Sequence, residues 1–95
     1  MGEGYYEYKA KKGLIKAKAM VFGNRIESII ISGDFMIHPE ESIWELEKAL
    51  KGSIADPNVV EQVVREKLNN VEFIGSSVDD FVHVIKKAVE VALNE

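Results

Sequence analysis

The chain of 95 residues contains no cysteine. Disulfides, thiolate nucleophiles, zinc sites built on cysteine and cysteine-bound iron–sulfur clusters are therefore excluded within it. It also lacks any apolar run near the ~20 residues that cross a membrane as a helix. Residues 1–12 contain no apolar core of a secretory signal. These absences predict a cytoplasmic protein that does not contact membranes.

Catalytic signatures are missing as well. The sequence has no phosphate-binding G-x-x-x-x-G-K-[ST], no nucleophile elbow G-x-S-x-G and no zinc-binding H-E-x-x-H. The formal net charge is −4, so the chain as a whole does not attract nucleic acid. With 46% apolar and 29% charged residues, the composition is globular, and the length predicts a single domain over residues 1–95. We expect no catalytic and no metal-binding residues in this chain.

The first third of the chain alternates between apolar and polar residues, which indicates strands. Strands are predicted over residues 5–10, 14–22 and 25–32, and Gly23-Asn24 supplies a two-residue hairpin turn. The second strand has an apolar face and a lysine face, made by Ile15, Ala17, Ala19 and Val21 and by Lys16 and Lys18. Three strands joined by short turns form an antiparallel meander, and helices should cover only its apolar face.

The remainder of the chain has helical spacing. The apolar positions of the first predicted helix are Ile43, Leu46, Ala49 and Leu50, and Gly52 ends it. Asp56-Pro57 begins a second helix, which ends at Asn69-Asn70.

A short extended segment at 71–74 leads to a third predicted helix. Ser77 and Asp80 form a capping box at its start. Its buried stripe consists of Phe81, Ile85, Ala88, Val89 and Ala92. The predicted fold class is α+β, a three-stranded antiparallel meander with helices packed on one face.

The segment ISGDFMIHPEES, from Ile31 to Ser42, joins the strands to the helices. We expect Gly33 and Asp34 to turn the chain and Pro39 to begin the first helix. Glu40 and Glu41 then favour the positive end of the helix dipole. His38 is interpreted as an exposed histidine at the helix entry. The alternative is a general base with Asp34 as its partner.

Three further groups are candidates for binding. Trp44 is expected at the edge of the core, with an interface role as the alternative. Five lysines crowd two adjacent strands beside three tyrosines: Lys9, Lys11, Lys12, Lys16 and Lys18 with Tyr5, Tyr6 and Tyr8. We interpret them as a solvated sheet face; the alternatives are a protein-docking face and a site for single-stranded nucleic acid, which the acidic charge disfavours. His83 is expected to be a surface or half-buried residue of the last helix.

One longer stretch carries a family resemblance. The ordered set KGLIKAKAMVFGNRIESIIISGDFMIHPEESIWELEKALKG resembles the C-terminal accessory domain of lipoate–protein ligases, which some archaea encode as a separate short polypeptide. The most specific part runs from Ile31 to Gly52, and the resemblance continues through the last helix.

The resemblance implies a role without chemistry in this chain. In such ligases a large domain binds lipoate and ATP with Mg, forms lipoyl-adenylate and passes the lipoyl group to a lysine of an acceptor domain. The small subunit of a split ligase is needed chiefly for adenylation. The implied partners are therefore the catalytic large subunit, in a heterodimer, and indirectly the lipoyl-acceptor domains. We expect this chain alone to bind no cofactor and no nucleic acid.

The accessory domain's fold is similar to iron–sulfur scaffold and sulfur-acceptor proteins. The alternative function is accordingly a non-catalytic protein-interaction module of that fold, without a cluster. Residues expected to face the partner or the adenylate are Gly33, Asp34, Phe35, His38, Pro39 and Trp44. Lys16 and Lys18 are secondary docking candidates.

Overall fold

The computed structural model describes all residues from 1 to 95. Its elements are β1 (Gly2–Ala10), β2 (Gly13–Phe22), β3 (Arg25–Asp34), β4 (Met36–His38), α1 (Ser42–Leu50), α2 (Pro57–Lys67), β5 (Glu72–Ile74) and α3 (Val78–Leu93). The predicted α+β class and the three-stranded antiparallel meander are confirmed. No helix is long and apolar enough to cross a membrane.

The main sheet has the strand order β1-β2-β3, with both pairs antiparallel. Two-residue turns join the strands, and at the second one Gly23 takes a positive φ of 66°. Glycine adopts a positive φ without a steric penalty, and the hairpin turn predicted at Gly23-Asn24 is confirmed. The alternation in β2 is also confirmed, because the four residues of its predicted apolar face are buried under the helices.

The strand β1 begins at Gly2, three residues before its predicted start at Tyr5. Gly2 and Gly4 are buried because α3 crosses them closely. A Cβ at Gly2 would overlap the carbonyl oxygen of Ala92, and one at Gly4 would overlap that of Ala88. The two glycines therefore let the helix backbone lie directly on the strand.

The core is one cluster of 22 buried apolar residues between the sheet and the helices. Phe81 of α3, fully buried, lies at one end of it. Its ring meets that of Phe35 edge to face at 5.1 Å and that of Phe73 at 5.7 Å. This aromatic cluster joins α3 to β5 and to the residue that precedes β4.

Two helix starts follow the sequence prediction. The Asp56 side chain accepts hydrogen bonds from the N–H groups of Asn58 and Val59, and Pro57 is the first residue of α2. Ser77 and Asp80 form the predicted capping box of α3.

The prediction that Pro39 begins the first helix is wrong. Helix α1 begins at Ser42, after a turn in which the Pro39 carbonyl accepts a 3.2 Å bond from the Ser42 N–H. The Glu40 carbonyl accepts a similar bond from Ile43 at 3.3 Å. These tight i to i+3 bonds orient the chain before the helix begins, and no side chain caps it.

Candidate functional site

The segment between β3 and α1, here called the corner (residues 33–42), contains a second sheet. The strand β4 pairs antiparallel with β5, so that Met36 faces Ile74, Ile37 faces Phe73 and His38 faces Glu72. Ile37 is buried, while Met36 and His38 on either side of it are exposed. The corner therefore presents residues from two distant parts of the chain on one outer surface.

Gly33 and Asp34 do not turn the chain, contrary to the prediction. They complete β3, where they pair with Ile15 and Leu14 of β2. Only Phe35 separates β3 from β4. The two residues are exposed, so they form a rim of the corner.

Phe35 is half-buried, and its ring packs edge to face on Phe81. An inward ring supports the corner from below and offers a partner only part of its surface.

An open groove of about 730 Å³ runs along the outer face of the corner. It is lined by Met36, Ile37, His38, Pro39, Glu40, Glu41, Glu72 and Ile74. A smaller neighbouring cavity of about 360 Å³ includes Gly33 and Phe35. The groove combines an apolar strip, Met36 and Ile74, with three carboxylates, so it suits a partner surface that is apolar with cationic groups.

The structure does not form the alternative acid–base pair of His38 and Asp34. His38 is exposed at the end of β4, and the histidine hydrogen bond found in the structure belongs to His83. A general base needs a partner that orients it. The predicted exposure of His38 is confirmed, but the residue ends β4, four residues before α1 begins.

The prediction that Trp44 lies at the core edge is wrong. Its side chain is 62% exposed, with the Lys48 ammonium 4.6 Å from the ring centroid. Leu46 and Leu50 are the fully buried residues of α1, and Trp44 lies about 160° from Leu46 and about 120° from Leu50 around the helix. An exposed tryptophan with a cation over its ring is available to a partner.

Lys16 and Lys18 lie on the open face of the main sheet, as predicted. Lys18 forms a 3.3 Å ion pair with Glu3, and Lys16 stands opposite Glu7 in the strand register. Acidic residues of β1 thus balance the lysines, which weakens this face as a nucleic-acid site. Ile30, 59% exposed, adds an apolar neighbour opposite Lys18.

His83 is exposed on α3, which agrees with the prediction of a surface position. Its ring contacts Tyr6 and Tyr8 edge to face, at centroid distances of 5.6 and 5.1 Å. No three His, Asp or Glu side chains in the chain lie close enough together to hold a metal ion.

A separate ion-pair network joins α2 to α3. Glu61 accepts hydrogen bonds from Lys86 and Arg65, both 2.9 Å long, and these lower its pKa. Arg65 also donates to Asp79 at 2.7 Å, and the two carboxylates raise its pKa. The charges of this network are paired with one another, so we interpret the network as a structural link between α2 and α3.

Of the eight groove residues, only His38 and Pro39 were candidates from the sequence; Met36, Glu72 and Ile74 are the exposed strand residues among those that it missed. The sequence carries no clear alternation here, because MIH and EFI each contain two adjacent apolar residues, and only the structure shows that the middle residue faces inward. Segments of three residues are too short for alternation alone to identify strands. Only the pairing, across more than thirty residues of chain, makes them a surface.

Comparison with known proteins agrees with the resemblance found in the sequence. A family model described as bacterial lipoate protein ligase C-terminus matches residues 5–85. Subunit 2 of lipoate-protein ligase A from Thermoplasma acidophilum is 40% identical over 80 residues, which are 83% of this chain and 83% of that protein. A chain in the solved structure of a bipartite lipoate protein ligase and its E2 lipoyl domain from Thermoplasma acidophilum has a TM-score of 0.80 and 38% identity, covering 87% of this chain and 93% of that chain. This chain belongs to the family of lipoate protein ligase C-terminal domains.

Proposed function

We propose that the chain is the accessory subunit of a two-component lipoate–protein ligase. The observation that supports this most directly is the match to a relative called subunit 2, over 83% of both chains. The relative is therefore a short protein too. The missing phosphate-binding and nucleophile motifs fit this role, because the chemistry then belongs to a separate catalytic subunit.

The step that needs this chain is the activation of lipoate. In that step a lipoate carboxylate oxygen bonds to the α-phosphorus of ATP and pyrophosphate leaves, which yields lipoyl-adenylate. Lipoate, ATP and Mg bind in the complex, and the lipoyl group then passes to a lysine of the acceptor domain. This chain contributes a surface that completes the catalytic subunit.

We expect pyrophosphate release from lipoate and ATP to require both subunits. The assay compares the catalytic subunit alone, this chain alone and the mixture. Preformed lipoyl-adenylate should bypass the requirement, so that the catalytic subunit alone lipoylates the acceptor domain. Adenylation by this chain alone contradicts the proposal. Equal dependence of both half-reactions on the chain contradicts the activation role and indicates that it only keeps its partner folded.

We further propose that the corner groove is the surface that faces the catalytic subunit. Met36 and Ile74 are exposed by 65% and 48%, lie opposite each other in the β4–β5 pair and form one apolar strip. Apolar strips flanked by charges are typical of docking surfaces. His38 and Pro39 line the same groove, and Gly33 and Asp34 lie on its rim. Trp44 lines a different cavity, beside Ser28 and Lys48, and is a separate candidate contact on α1.

Met36→Glu is expected to weaken binding of the catalytic subunit about tenfold or more, because it buries a charge against an apolar contact. The matched control is Phe22→Glu, at a side chain 64% exposed in the β2–β3 hairpin. Titration calorimetry measures both affinities. Equal losses for the two variants, or none for Met36→Glu, contradict the placement of the interface.

His38→Ala separates docking from activation in the same groove. Its free energy of unfolding should change by less than about 0.5 kcal/mol, as is usual for exposed positions. The complex should still assemble, and at saturating chain the rate of adenylation should fall if the imidazole faces the adenylate. An unchanged rate means that His38 serves the surface only.

A further inference from the structure

The two edge strands of the main sheet, β1 and β3, differ in how far their outward backbone groups are hydrogen-bonded. At the β3 edge, Ile26 exchanges backbone hydrogen bonds with the loop after α1, donating to Ser53 at 2.8 Å and accepting from Gly52 at 2.7 Å. Further along, the Ile31 N–H donates to the Glu47 carboxylate at 2.7 Å. Edges blocked in this way do not accept another strand.

The β1 edge is open by comparison. The Glu3 N–H points outward, because it donates to the Glu95 carboxylate at 3.3 Å. Since strand polar groups alternate in direction, those of Tyr5, Glu7 and Lys9 also point outward, and they have no partner in the chain. β1 is nine residues long and contains no proline. It is a long unpaired edge.

The side chains of β1 in one copy of the chain are complementary in charge to those of β1 in a second, antiparallel copy. An antiparallel pair of two β1 strands centred on Tyr6 sets Glu3 opposite Lys9 and Tyr5 opposite Glu7. These four positions are also the ones whose backbone groups point outward, so the same register satisfies the hydrogen bonds. Opposite charges facing each other across strands are stabilising.

The neighbouring registers are unfavourable. Centring the pair on Tyr5 sets Glu3 opposite Glu7, and centring it on Glu7 sets two copies of Glu7 opposite each other. Like charges in facing positions are destabilising. Charged residues on an edge usually oppose pairing, but here their order favours the register centred on Tyr6 over these two neighbours.

The inner side of the strand is covered by α3. The helix backbone lies on Gly2 and Gly4, and the Tyr8 ring packs on His83. Pairing of two copies therefore uses the outward backbone groups and the side chains on the open face of β1.

We propose that two copies of this chain associate through β1 in the register centred on Tyr6, which makes a continuous six-stranded sheet. We assign the strand that pairs with this edge to a second copy of the chain, because opposite charges then face each other between the two β1 strands. The inference does not depend on the proposed function. It uses the sheet edge opposite to β3, the strand that leads into the corner.

The experiment measures the mass of the chain in solution by sedimentation, with single and mixed charge reversals. The parent should form a dimer of twice the 10.7 kDa chain mass. Glu3→Lys alone and Lys9→Glu alone should each weaken dimerisation about tenfold, because both facing pairs become repulsive. An equimolar mixture of the two variants should restore the dimer, since the lysine introduced in one copy then faces the glutamate introduced in the other, and the second facing pair is the native one.

Lys51→Glu is the control for Lys9→Glu, because it makes the same change of charge at an exposed residue after α1, away from the β1 edge. It should leave the dimer intact. Circular dichroism should show all variants folded, because the changed side chains are exposed. A monomeric parent at millimolar concentration, or a mixture that stays monomeric, overturns the proposal.

Amide exchange supplies a second readout that does not use charge. The N–H groups of Tyr5, Glu7 and Lys9 should become protected as the concentration of the chain rises. Protection that appears only when the catalytic subunit is added means that the edge accepts a strand of that partner, which also overturns the second-copy proposal.

Discussion

Phe81→Ala is expected to lower the free energy of unfolding by about 3–5 kcal/mol. Folded domains typically have only ~5–15 kcal/mol in total. The ring is fully buried and packs on both Phe35 and Phe73, so its removal leaves a cavity lined by side chains that cannot collapse together. Urea titration followed by circular dichroism measures the loss.

Phe22→Ala is the matched control, because the same truncation at a ring 64% exposed should cost less than about 0.5 kcal/mol. Phe81→Leu keeps most of the volume and should fall between the two. Equal stability of the Phe81→Ala and Phe22→Ala variants contradicts the central role of the Phe81 ring. The corner should open first in Phe81→Ala, seen as faster amide exchange in β4.

Gly4→Ala is expected to cost about 3 kcal/mol, the upper end of the usual penalty for an overfilled core. The added Cβ would lie 2.5 Å from the Ala92 nitrogen and overlap the Ala88 carbonyl oxygen. Both atoms belong to the backbone of α3, so the helix must move away from β1. The same urea titration measures the cost, and shifted resonances of Tyr6 and His83 report the movement.

Two companion variants distinguish a clash from other causes. Ala88→Gly, added to Gly4→Ala, should not restore stability, because the overlap is with backbone and not with the Ala88 side chain. Gly23→Ala meets no atom within 4 Å but has φ of 66°, so it should cost only the ~1–2 kcal/mol of a left-handed backbone. A Gly4→Ala chain as stable as the parent contradicts the close approach of α3.

These two positions also show where prediction from the sequence succeeds and fails. The stripe that contains Phe81 was predicted, because a helical face repeats within a few residues. The same holds for the alternation in β2 and for the caps at Asp56 and Ser77, which depend on neighbours three residues away or fewer. Local signals of this kind are complete in the sequence.

The failures depend on contacts between distant segments. Gly2 and Gly4 disfavour a strand when considered alone, and only the approach of α3 explains them. Pro39 is compatible with a helix start, but the turn bonds of its carbonyl place the start three residues later. The apolar Trp44 indicates a core residue, although the packing of α1 on β3 leaves it outside.

The candidate site also combines residues that local sequence identifies with residues that only contacts between distant segments bring together. His38 and Pro39 were identified because they stand in an unusual local segment. Met36 forms an apolar strip only together with Ile74, which lies on a strand that the chain reaches after two helices. The groove is therefore a product of the tertiary structure more than of any motif.

The pairing of β4 with β5 also limits how this surface can be copied. A synthetic peptide of residues 31–42 carries His38, Pro39 and Met36 but lacks Glu72 and Ile74, and three-residue strands have no stability by themselves. Because the proposed docking surface needs both strands, such a peptide is expected to be a poor competitor for the catalytic subunit even in large excess. An inhibitor of the assembly, or a graft of this surface onto another scaffold, must hold both strands at once and must also supply the aromatic support beneath them.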